Sequence, residues 1–177
     1  MPLRQENIEA EVTPELTRAF ERTVSPERWR TYKLAAGFHE ETALRLYLWN
    51  AAIGQSFHFP LQSTEVALRN VVHASLAALY GPNWAHDPNC RHMLGPQLGD
   101  DLVKTERRHH NRYSAQPTTP QMVASLSLGF WVALIRQGFH GSIWASQTAN
   151  AFPHLVNGDD MMDVSRTGTA IQDLRNR

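Results

Sequence analysis

Apolar residues in this chain recur every three or four positions, and no stretch alternates with period two for long enough to make a strand. That regularity restricts the chain to an all-α fold. Leu46, Trp49, Ile53 and Phe57 share one face of a helix expected from about Glu40, with Asn50 as its polar member. Leu61, Leu68, Val72, Leu76 and Leu79 form a second stripe, and Val123, Leu126, Phe130 and Leu134 a third, with Trp131 and Ile135 alongside. Met161, Val164, Gly168 and Ile171 carry the rhythm to the last residues, where the same spacing puts Arg175 on the core-facing side, followed by Asn176.

Punctuation divides these stripes into about six helices. Thr13-Pro14 and Ser25-Pro26 each place a capping side chain before a proline at the first helical position, and Gly37 ends the second of these helices. Pro60 is expected to break residues 40 to 80 into two antiparallel helices, because a proline interrupts the hydrogen-bond ladder. Gly81-Pro82 stops the second. From 83 to 119, Pro82, Pro88, Pro96 and Pro117 read as loops and short turns, and Pro120 restarts regular structure. Gly129 allows close packing against another helix. Trp144, Thr148 and Phe152 mark a short helix closed by Pro153. Asn157-Gly158 reads as a turn, with Asp159 or Asp160 capping a final helix that packs on residues 40 to 80.

Composition limits the partners. Seventeen basic and seventeen acidic residues cancel, so no global field draws the chain to nucleic acid or acidic lipid, and any such contact needs a local patch. The single cysteine, Cys90, excludes an internal disulfide and suits a reducing cytoplasm. No apolar run is long enough to span a bilayer, and the start lacks the apolar core of a signal peptide. These features describe a soluble cytoplasmic protein with no membrane partner: a polar segment over 1–24 and one helical domain over 25–177. His86, Cys90 and His92 fit no zinc spacing, so neither a metal nor another cofactor is expected.

The polar residues inside apolar stripes stand out. Arg69-Asn70 sits in a helical run one turn after Glu65, and Arg175-Asn176 ends the chain. Two Arg-Asn pairs and a carboxylate are the parts of a polar site. The Glu65–Arg69 spacing fits equally an internal buttress, since apolar neighbours flank it and burial costs several kcal/mol per ion without compensating bonds. Asn50 reads either as a satisfied amide or as a contributor to that site. Lys104, Arg107, Arg108 and Arg112, with His109, His110 and Tyr113, form a basic cluster, read as a solvated helix face or a phosphate-contacting patch. His73 lies one turn after Arg69 and reads as a satisfied or surface histidine.

Several segments occur together in an order that resembles the Abi-like (abortive-infection) family of bacterial phage-defence proteins. They are residues 46–50 (Leu-Tyr-Leu-Trp-Asn), 61–70 with Glu65, Leu68, Arg69 and Asn70, 80–84 from Tyr80 to Trp84, 127–132 around Gly129-Phe130-Trp131, Trp144, Phe152-Pro153, and Leu174-Arg175-Asn176-Arg177. The resemblance covers roughly residues 25 to 177. It implies a HEPN-type antiparallel helical bundle, often dimeric, whose active members are metal-independent endoribonucleases. Their signature is an arginine, a polar residue and then a histidine four to six residues after the arginine. Arg175 and Asn176 match its beginning, and the histidine falls beyond Arg177. Glu65, Arg69 and Asn70 match the family's internal polar segment.

The resemblance therefore implies a catalytic set of Glu65, Arg69, Asn70, Arg175 and Asn176, with RNA contacts at Lys104, Arg107, Arg108 and Arg112. A homodimer is expected, with an antitoxin or regulatory RNA as a further partner. Without the motif histidine, the 177 residues are expected to cleave RNA poorly or not at all. The alternative, of a different class, is a non-catalytic helical module that binds RNA or protein through the same cleft.

Overall fold

The computed structural model describes residues 12–155 and 161–176. The turn and caps expected over 157–160 lie outside the described residues. Among the described residues all regular structure is helical, in eight α-helices: α1 (Pro14–Glu21), α2 (Pro26–Ala35), α3 (Glu40–Tyr80), α4 (Pro88–Tyr113), α5 (Thr119–Ser125), α6 (Leu128–Leu134), α7 (Ala145–Ala151) and α8 (Met161–Asn176). A short 3-10 turn, Trp84–His86, links α3 to α4, and a 3-10 and a π-helical turn fill residues 137–144 between α6 and α7.

Most helices begin as the sequence chemistry dictates. Thr13 Oγ1 accepts from the Leu16 N–H at 3.2 Å, Ser25 Oγ from Arg28 at 3.3 Å and Asp87 Oδ1 from Cys90 at 2.8 Å. Each cap is followed by proline, whose missing N–H is no loss in a first turn that has no acceptor for it. At α5 the Gln121 Oε1 accepts from the Thr118 N–H at 2.8 Å.

The chain's contacts fall into two compact units, Met1–Pro60 and Leu61–Arg177. In the first, Trp29 is fully buried among Val12, Ala36, Ala43 and Leu44, with Phe20, Val24 and Tyr32 packed around it. The polar N-terminal segment thus contributes, from residue 12 onward, to the same core as α2. In the second unit, Val72, Leu76, Trp84, Leu94, Leu102, Phe130, Trp131, Leu134, Ile135 and Trp144 make one continuous core.

Two expectations are corrected. Pro60 does not separate two antiparallel helices: α3 runs through it as one helix of 41 residues. An interior proline costs roughly 3 kcal/mol, and here residues 54–60 are all exposed, so its ring meets solvent and not packed core. Residues 88–113 are not loops and turns but α4, which folds at Gly95 (φ 73°, ψ 178°), a conformation only glycine adopts at little cost. Pro96 then opens the second segment as Pro88 opened the first. The fold is sharp. Arg91 and Glu106 are fifteen residues apart and would stand about 22 Å apart on a straight helix, yet their side chains pair.

The stripe from Val123 to Leu134 is likewise two short helices meeting at Leu126, with all four of its residues buried. The last helix packs chiefly on α6. A Cβ at Gly168 would stand 2.5 Å from Ile135 Cδ1, so this glycine lets α8 lie close against the end of α6; one at Gly129 would meet only the end of the Gln172 side chain, at 3.1 Å.

A pair of substitutions checks this packing. Gly54, in the exposed middle of α3, has nothing within 4 Å of its added Cβ, so Gly54→Ala is expected to stabilise by about 0.5–1 kcal/mol through helix propensity. Gly168→Val overfills the α6–α8 contact and is expected to destabilise by about 1–3 kcal/mol. Urea unfolding followed by circular dichroism reads both.

Candidate functional site

Helix α3 presents Glu65, Arg69 and His73 at successive four-residue steps, which lie along one face. Each meets a different environment. The Glu65 carboxylate, mostly buried with its side chain 19% exposed, pairs with Arg175 of α8 at 3.1 Å. The ion pair joins the middle of the chain to its last helical turn. Arg69 is half-buried and makes no ion pair or side-chain hydrogen bond among the described residues. The link expected between Glu65 and Arg69, direct or through Asn50, Asn70 or Arg175, is absent among the described residues: the carboxylate pairs with Arg175, and Arg69 joins neither.

His73 is half-buried at the other end of this row. Its Nδ1 lies 2.9 Å from the indole Nε1 of Trp84, which is fully buried. An indole N–H can only donate, so Nδ1 is the acceptor and the neutral ring carries its proton on Nε2. Trp84 packs edge-on against Trp131, with ring centres 6.4 Å apart. The aromatic segments singled out in the sequence therefore hold the histidine of this row in place, a coupling that spacing alone did not reveal.

The remaining motif residues are more exposed than expected. Along α8, Met161 and Gly168 are buried, Val164 and Ile171 half-buried, and Arg175 is 47% exposed at its side chain. The stripe climbs out of the core as the helix ends. Asn70 and Asn176 are both exposed, so neither Arg-Asn pair is buried. Asn50 lies in the other unit, exposed, and donates from Nδ2 to the Tyr32 hydroxyl at 2.8 Å.

The basic cluster lies on the second segment of α4. Lys104, Arg107 and Arg108 border an open cleft of about 420 Å³ together with Asp101, Thr105, Leu126 and Ser127. Lys104 is shared with Asp101 at 3.7 Å and Arg108 donates to Thr105 Oγ1 at 3.1 Å. Arg112 does not line this cleft; it stacks over Tyr113 at 5.3 Å.

His86 and Cys90 serve the fold. Glu106 is the hub: Arg91 pairs with it, His86 Nδ1 lies 3.3 Å away, and His86 Nε2 meets the Pro117 carbonyl at 2.9 Å. Arg91 Nε also donates to the Ala85 carbonyl at 2.8 Å. This network clasps the two segments of α4 to the turns around them. Burial raises the Cys90 thiol to about 12, so it stays protonated and inert near neutrality. No three His, Cys, Asp or Glu side chains among the described residues converge as a metal would require. No described helix is long and apolar enough to cross a membrane. Comparison with protein-family models, with curated proteins and with solved structures gives no match to this chain.

Two stability experiments check the geometry. In a double-mutant cycle, Glu65→Gln and Arg175→Gln are expected to couple by about 0.2–1 kcal/mol, the range for a partly exposed ion pair; additive effects would remove the bridge between α3 and α8. Glu106→Ala strips the hub and leaves Arg91 uncompensated, and is expected to cost about 2–3 kcal/mol. A cost under about 0.5 kcal/mol would mean that the network contributes nothing to the bend at Gly95.

Proposed function

We propose that this chain is an Abi-like phage-defence or toxin-type protein of the HEPN type, built around a metal-independent endoribonuclease site and acting in the cytoplasm. The observation that supports this reading best is the Glu65–Arg175 ion pair. It unites the internal polar segment and the terminal Arg-Asn segment, two of the segments that carry the resemblance, although they are distant in sequence.

The chemistry asks for these residue types. Metal-free RNA cleavage uses the ribose 2′-hydroxyl as nucleophile on the adjacent phosphate. Arginine neutralises charge on that phosphate through a rigid fork of donors. Glu65 holds Arg175 in place, and Asn70 and Asn176 supply hydrogen bonds beside the two arginines. A histidine moves the protons, and no histidine follows Arg175 within these 177 residues. On this reading residues 1–177 by themselves bind RNA more readily than they cleave it.

The second reading, a non-catalytic RNA-binding module, draws on the basic cleft bordered by Lys104, Arg107 and Arg108, which needs no catalytic group to hold a phosphate backbone. An antitoxin or regulatory RNA is the further partner that the nuclease reading expects. The polypeptide also forms a two-fold dimer, as the family resemblance implies. Trp49 and Phe57 on α3, two turns apart, are 57% and 43% exposed, apolar side chains that such a contact would cover.

RNA cleavage in the presence of a chelator tests the enzyme reading. The 177 residues should cleave slowly. A form extended by two alanines and a histidine should cleave faster by about a hundred- to ten-thousand-fold, the usual contribution of general acid-base transfer. Equal, robust cleavage by both forms would contradict the assignment of the terminal motif. No cleavage by either would favour the binding module. Light scattering at roughly tens of micromolar should report a dimer, and a monomer would count against the association.

A further inference from the structure

We propose that Arg69 and His73 form a subsite that holds one phosphodiester group. The proposal rests on the nuclease reading for the identity of the ligand, but its geometry stands by itself. Glu65, Arg69 and His73 follow one another along one face of α3. The two outer members are committed. Glu65 is held by Arg175 at 3.1 Å, and His73 Nδ1 is held by the buried Trp84 indole at 2.9 Å. The middle member, Arg69, is half-buried and has no partner among the described residues.

Charge decides what the subsite takes. Two guanidinium groups and one carboxylate leave this row with one net positive charge. A half-buried cation without a counter-ion favours an anionic ligand. A phosphodiester carries a single negative charge and brings the row to neutrality; a phosphate dianion would overshoot it. His73 adds a directed donor. With Nδ1 accepting from Trp84, the ring proton lies on Nε2, which has no partner among the described residues. Trp84 is fully buried and packed against Trp131, so the imidazole cannot turn over without losing that bond. A fork of arginine donors and one imidazole N–H, a helical turn apart, match the acceptor oxygens of one phosphate group.

The test uses the full 177-residue chain, labelled with nitrogen-15, and an uncleavable 2′-O-methyl dinucleotide at roughly millimolar concentration, where a single phosphate contact saturates. Inorganic phosphate is titrated separately. The dinucleotide should shift the Arg69 Nε and His73 Nε2 resonances. Arg69→Gln and His73→Asn should each weaken binding about tenfold or more, the loss expected for a charge-assisted hydrogen bond. In His73→Asn the amide oxygen stands near the former Nδ1 and preserves an acceptor for Trp84, so an unchanged melting temperature separates lost binding from lost folding. Arg30→Gln, an exposed arginine of α2, should leave dinucleotide binding unchanged.

Undiminished binding by both Arg69→Gln and His73→Asn would overturn the subsite, as would shifts confined to the α4 cleft. Inorganic phosphate binding as tightly as the dinucleotide would overturn its assignment to a phosphodiester. Dinucleotide binding at Arg69 and His73 with no RNA cleavage by any form would uphold the subsite and count against the nuclease. Cleavage insensitive to both substitutions would uphold the nuclease and overturn the subsite.

Discussion

Trp84 is fully buried, and its indole nitrogen carries a hydrogen that water no longer reaches. Leaving such a donor unpaired costs about 1–3 kcal/mol. His73 on α3 accepts it at 2.9 Å, and the same indole packs edge-on against Trp131 of α6. One side chain from a three-residue turn thus ties the second half of α3 to the helices that carry the rest of the larger core. The same bond fixes the ring of His73, the last member of the polar row on α3.

The second constraint is the bend in α4. Gly95 allows the chain to turn back, and the Arg91–Glu106 pair with His86 holds the two segments together. The bend brings Leu94, Leu98 and Leu102 into one core with Trp84 and Phe130. It also sets the basic face of Lys104, Arg107 and Arg108 beside the junction of α5 and α6. Charge placement on α4 follows from the same device: Glu106 faces inward to its partners, while the neighbouring Arg107 and Arg108 remain exposed.

Helical class and several helix starts were legible because they rest on local chemistry. Thr13-Pro14 and Ser25-Pro26 announce their helices, and Asp87-Pro88 carries the same signature. It was obscured by the prolines around it, read together as loop. Proline has two opposite meanings, first-turn residue or ladder breaker, and only the preceding cap separates them. Pro60 shows the converse. Nothing in local sequence says that an exposed helix can continue through a proline, since tolerance there depends on what does or does not pack on that face. For the site, periodicity placed Arg175 on the core-facing stripe of α8, but its side chain is 47% exposed and spacing did not give its pairing with Glu65. It could not say which arginine Glu65 would choose, because that depends on how α8 lies against the end of α6, where Gly168 meets Ile135. The bond from Trp84 to His73 left no periodic signal at all, because a turn residue belongs to no stripe.

The most direct test of this account is the state of the His73 ring in the folded protein. Long-range proton–nitrogen correlation spectra distinguish a bare acceptor nitrogen from a protonated one. An unprotonated Nδ1 and a protonated Nε2 are expected in the neutral ring, with the Trp84 indole N–H strongly protected from exchange. A protonated Nδ1, or a Trp84 N–H that exchanges as freely as an exposed indole, would contradict it.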